Sequence, residues 1–183
     1  MHHDILAIPP YDRKEKAWRV IIETAKGSAA KYSYEPTLGL FQLRHILPEG
    51  SVFPYAFGFI PSTLGDDGDP LDVLLLIEET TEYGAVILSR IIGVIEGEQK
   101  EKGEKPERND RFLAVPVASR RFADIDSAKQ LPRKQIKDIC AFFEDYNDEL
   151  GRTFTVTRWT GPAPADKLVK KGMRKFKAHR NRR

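Results

Sequence analysis

The chain has 183 residues, of which 40% are hydrophobic and 31% charged. That is long enough for one domain with a self-sufficient core and too polar for a chain embedded in a membrane. The single cysteine excludes an internal disulfide and a cysteine-based zinc site, and it fits a reducing cytoplasm. The net charge is +3, but nine of the 30 Lys and Arg lie in residues 167–183, which hold no acid. The other 166 residues carry 21 bases against 27 acids, a net of −6. A mildly acidic domain spanning 1–183 thus ends in a basic C-terminal arm, 164–183, which does not make the whole body a nucleic-acid-binding face.

The opening MHHDILAIPPYDRKEK lacks the apolar run of a secretory signal. WRVIIET (18–24) is β-branched and reads as a strand. AAKYSYE and LFQLRHIL, joined by a Pro36–Gly39 turn, read as a hairpin. Residues 48–70 place Phe53, Tyr55, Phe57 and Phe59 among prolines and glycines, which predicts an ordered, partly buried segment rather than a polar loop. DVLLLI, VILSRIIGVI and RFLAVPVA follow as strands. Pro116 puts the last of these at an edge or a bulge, and TFTVTRW is a further strand. Residues 96–110, with six acids, four bases and almost nothing apolar, predict an exposed loop of 15 residues.

Ile136, Ile139, Cys140, Phe143, Tyr146 and Leu150 recur at helical spacing, with Gly151 as the stop. Cys140 on that stripe reads as a core residue. A weaker helix from Pro164, interrupted at Gly172, carries the basic arm. Six or seven strands with helices gathered late predict a β-rich α+β domain built on a barrel. The four histidines are scattered at 2, 3, 45 and 179, with no ligand spacing, and read as surface residues.

The densest chemical signal is Gly65-Asp-Asp-Gly-Asp-Pro-Leu-Asp72, with four aspartates in seven residues before an apolar strand. Carboxylates crowded at a strand mouth repel unless some are protonated or cations hold them, and oxygen-only ligands select hard divalent cations, magnesium first. A plain turn is the competing reading, since Asp, Gly and Pro are turn residues. An EF-hand loop is excluded by the spacing.

The DGDPLDV stretch, 67–73, resembles the signature of the soluble family I inorganic pyrophosphatases. VIIET, AAKYSYE, LFQLRHIL, FPYAFGFIPSTL and AFFEDYN resemble other family segments in the same order, so the likeness runs from about residue 18 to 160. It implies a five-stranded OB-type barrel with helices packed outside. It also implies hydrolysis of pyrophosphate to two phosphates with several Mg²⁺ ions, Mn²⁺ being the alternative, and a homo-oligomer, often a hexamer in bacteria. Carried over residue by residue, it makes Asp69 the catalytic base. Asp67, Asp69, Asp72, Glu23 and Asn109 become the metal-side residues. Lys31, Arg44, Arg111 and Tyr146 become the phosphate-side residues, with Tyr146 also catalytic.

The pattern has departures. Ser33 stands for an acid, Phe53 and Phe57 for two tyrosines, Asn109 for an aspartate, Arg111 for a lysine, and Asn147 for the lysine after the helix tyrosine. A weakened hydrolase, or a phosphate-binding homologue of altered specificity, is the first alternative. The second is an OB-type protein that binds nucleic acid through its basic arm, which the acidic body disfavours.

Overall fold

The structure is a computed structural model that describes residues 4–182, so His2 and His3 lie outside the described residues. Among the described residues, ten strands run in the order β1 (Tyr11–Asp12), β2 (Ala17–Thr24), β3 (Ala30–Glu35), β4 (Leu40–Ile46), β5 (Ala56–Ile60), β6 (Leu71–Leu75), β7 (Val86–Lys100), β8 (Glu107–Arg108), β9 (Arg111–Pro116) and β10 (Thr153–Thr160). Helix α1 (Arg133–Glu149) precedes β10, and α2 (Pro162–Arg180) follows it. In the main sheet β2, β5, β6, β9 and β7 are neighbours in turn, and β2 pairs again with β7. That last pairing closes the ring into the expected five-stranded barrel. All ring pairings are antiparallel except β6 with β9. The β3–β4 hairpin forms a separate two-stranded sheet.

The long strand β7 organises the ring. Its first residues pair with β2 (Trp18 opposite Ser89), its middle with β9 (Phe112 opposite Val94) and its last with β10 (Phe154 opposite Gln99). Strands β6 and β9 are apolar at successive positions because both faces are covered. Val73, Leu75, Phe112 and Ala114 join Val20, Ile22, Ala56 and Val94 in one cluster fed by all five ring strands, to which α2 adds Ala165 and Val169. Leu74, Leu113 and Val115 face the other way and pack with Ile136, Ile139 and Phe143 of α1. The period-2 alternation thus splits each buried strand between two cores. Each such side chain contributes roughly 1.5–3 kcal/mol on burial.

Several expectations change. Residues 56–60 form β5, buried at every position; the flanking prolines and Gly58 hid a strand behind a loop-like composition. Residues 96–100 are not loop but the end of β7, and β8 folds back on it with Glu98 opposite Arg108 and Gln99 opposite Glu107. Only residues 101–106 lie between these strands. Glu96, just 6% exposed, is matched by Arg108 at 2.7 Å and Arg158 at 2.8 Å, so the charges read as a loop are a paired ribbon. Pro116 marks no edge: β9 lies inside the ring between β6 and β7, and the proline ends it. Helix α2 passes Gly172 without a break, because the glycine lets it press on β6. A Cβ there would stand 2.7 Å from Leu71 Cδ1, and the Gly172 carbonyl accepts from the Leu64 amide. α1 ends as expected, with Gly151 at φ +70°. No helix among the described residues is long and apolar enough to cross a membrane.

Two bulges lie in the strands beside the aspartate segment. Along β2, Ile22 faces Gly58 and Thr24 faces Phe57, so Glu23 is the extra residue. Along β4, His45 faces Lys31 and Leu43 faces Tyr32, so Arg44 is the extra one. Bulges re-aim the side chains they carry.

Candidate active site

The DGDPLD segment bends at Gly68, whose φ of +88° suits only glycine, and the Asp69 amide donates to Asp67 Oδ1 at 3.1 Å. Asp66 leaves the cluster and pairs with Lys171 at 3.6 Å and with Lys175, both on α2. Partial burial lifts the Asp67 carboxyl to about 6, helped by the charges of Asp72 and Asp69. Asp69 is more open to solvent, yet desolvation and Asp72 raise it too, while Arg44, Lys31 and Arg111 pull the other way. The three carboxylates therefore sense one another and a set of cations at one mouth.

The parallel pairing of β6 with β9 sets Asp72 opposite Arg111. The Arg111 guanidinium donates to Asp72 Oδ2 at 2.5 Å and also to the side-chain oxygen of Asn109. Only 5% exposed, it lies near the rings of Phe143 (5.5 Å) and Phe154 (5.4 Å), with Nε lacking a partner. Asp110 is not free to stand in for a missing carboxylate, because Arg108 Nε donates to it at 2.8 Å.

Across the mouth, the bulge on β2 aims Glu23 at the hairpin. Its carboxylate, 7% exposed, accepts from the Tyr34 amide at 2.7 Å and lies 3.6 Å from Lys31 Nζ. Burial raises its pKa and Lys31 opposes the rise. Lys31, itself 8% exposed, sits 4.4 Å above the Phe57 ring. That gives the phenylalanine at 57 a role in seating the ammonium. Arg44 is exposed and holds Glu35 at 2.9 Å.

From α1, Tyr146 enters against the Phe53 ring (5.5 Å), and burial raises its phenol while Arg111 opposes the rise. Its hydroxyl and His45 Nε2 share a hydrogen bond of 2.5 Å. His45 is thus half-buried beside the site rather than a plain surface residue. Strict alternation would send Arg44 and His45 to opposite faces, and the bulge is what sequence reasoning lacked. Cys140 stays outside the cluster, its thiol pushed to about 11 mainly by burial.

The donor set offers oxygen only, and the mutual lift of Asp67 and Asp69 is the electrostatic condition a divalent cation relieves. The residues fit a hard cation in that sense. Among the described residues, no three His, Cys, Asp or Glu side chains form a ready-made cage. Asp72 and Glu23 are engaged with Arg111 and Lys31 instead.

Comparison with known proteins identifies the family. The family model described as inorganic pyrophosphatase matches residues 20–177. The inorganic pyrophosphatase of Geobacillus stearothermophilus is 34% identical over 156 residues, 85% of this chain and 92% of that one. That of Nostoc is 32% identical, covering 92% and 96%. The crystal structure of the Thermus thermophilus inorganic pyrophosphatase superposes with a TM-score of 0.86 at 30% identity, covering 96% and 99%. With the likeness spanning the barrel, both helices and the aspartate segment, the chain belongs to the inorganic pyrophosphatase family.

Proposed function

We propose that the protein hydrolyses inorganic pyrophosphate to two phosphates. The observation that carries this reading is the opposition, at one mouth, of three carboxylates and the cations Lys31, Arg44 and Arg111. A dense polyanion and the divalent cations that travel with it need both kinds of partner.

Asp67 and Asp72 would hold the metal with Asp69 and the Asn109 oxygen, and Glu23 would support from behind through Lys31. Mg²⁺ is the first candidate and Mn²⁺ the second. A divalent cation bound there supplies charge neutralisation and eases loss of a proton from water. Asp69, the more open of the clustered carboxylates, accepts that proton. Lys31, Arg44 and Arg111 take phosphate oxygens, the two buried cations in a water-poor setting where charge-assisted bonds are strong. The Tyr146 hydroxyl adds a neutral donor.

Asp69→Asn keeps shape and removes the base, so phosphate release should fall by at least about a hundredfold with the melting temperature little changed. Phosphate release from pyrophosphate with Mg²⁺, against chelator and nucleoside triphosphate controls, measures it; unaltered turnover in the variant would displace Asp69 from its role. The same reading includes a cytoplasmic setting and a homo-oligomer, a hexamer, which sedimentation velocity tests.

A further inference from the structure

We infer that His45 is a positioning residue for Tyr146, turning the phenol so that its hydrogen faces the phosphate. The inference rests on the hydrolase reading above and adds to it a residue outside the carried-over set.

The hydroxyl of Tyr146 has few options. Phe53 packs edge-on against its ring and Phe142 stacks on it, neither offering a polar atom. Asn147, the next residue on α1, is 1% exposed and turned inward, its amide donating to the Phe143 carbonyl at 2.7 Å. Among the described residues, the polar partner of the hydroxyl is His45 Nε2 at 2.5 Å, with the two rings 5.4 Å apart and 33° from parallel. When Nε2 carries the hydrogen, it donates to the phenol oxygen and leaves the hydroxyl hydrogen for an incoming phosphate oxygen.

The placement depends on the β4 bulge, which brings His45 opposite Lys31. The charges facing His45 are Lys31 from β3 and Arg152 from the turn after α1; with burial, both keep the imidazole below its ordinary pKa. Of the two tautomers of the uncharged ring, the one with its hydrogen on Nε2 turns the phenol's hydrogen outward. Arg152 is held in turn by Glu101 at 2.6 Å.

The test is a double-mutant cycle, with KM for pyrophosphate and the dissociation constant for inorganic phosphate measured in each protein. His45→Phe should raise both about tenfold, the size of one lost directional hydrogen bond, while kcat changes by less than about threefold. In a Tyr146→Phe background the same change should have no further effect. His45→Gln, which keeps a donor at similar reach, should restore KM to within about threefold of wild type. Effects that add in full across the cycle, or a His45→Phe protein with unchanged KM and phosphate affinity, would overturn the inference. A wild-type protein that binds phosphate but releases none from pyrophosphate would sink the hydrolase reading instead. The phosphate affinities would still decide the role of His45.

Discussion

Asp67 accepts the Asp69 amide and feels the charges of Asp72 and Asp69, and its carboxyl titrates near 6 rather than near 3.8. Between those values the folded chain holds more proton than the unfolded one, so stability present below about pH 4 is lost as pH rises toward 6. Above that window the ionised group is a standing cost in the metal-free protein. Asp67→Asn should therefore raise the melting temperature at pH 7, in the presence of a chelator, by about a degree or two, since solvent screens this half-open site. At pH 4 the variant and wild type should melt together; a lower melting temperature for the variant at pH 7 would contradict the account. At this scale the sequence was legible where residues are close along the chain. Spacing alone picks out the cluster Asp66, Asp67, Asp69 and Asp72 and leaves a plain turn open beside a metal site; the family likeness narrows it to Asp67, Asp69 and Asp72. Glu23, Lys31, Arg44 and Tyr146 look like ordinary strand and helix residues, and only the family likeness singles them out. His45 escaped both, because its partner lies 101 positions away.

At the scale of elements, Gly58 shows how tightly β5 is seated. A Cβ at that position would stand 2.0 Å from the Ile21 carbonyl oxygen, a backbone atom that cannot swing aside. Gly58→Ala should therefore destabilise the protein by roughly 3 kcal/mol, read as a lower midpoint in urea unfolding with an unchanged slope. A midpoint shift of a few tenths of a molar or less would mean that β2 yields easily. The same crowding lies beside the β2 bulge that turns Glu23 toward the hairpin, so the substitution should also weaken phosphate release. Hydrophobic periodicity revealed the hairpin, the apolar strands and α1. For β5 the aromatics gave the burial but the flanking prolines and Gly58 masked the strand, and at the end of β7 paired charges imitate a solvated loop. In both places the missing information was tertiary: what covers the second face of β5, and which arginines meet Glu96.

For the whole molecule, the ring of β2, β5, β6, β9 and β7 is complete only when residues 17–24 meet residues 86–89. Helix α2 feeds the cluster to which all five strands contribute, so the basic arm is also a wall of the core. Such an arrangement should unfold as one unit. Trp18 on β2 and Trp159 on β10 lie along one edge of β7, opposite Ser89 and Ile95 at separate stretches of the strand, and their fluorescence should fall together with the far-UV dichroism in a single urea transition at fixed protein concentration. An early loss of fluorescence would show that β10 or β2 peels away first.

Ring closure also governs how the molecule meets a foreign strand in a crowded solution. A strand flanked on both sides has no amide row left to recruit a stranger, which is the usual seed of fibrous aggregates. The edge rows that remain belong to the two-residue strands β1 and β8, to the margin of β10 and to the hairpin, where Leu40, Leu43 and Ile46 lie open. Of these margins the hairpin carries the densest run of open apolar side chains, and a foreign strand would find its best footing there rather than on the closed barrel wall.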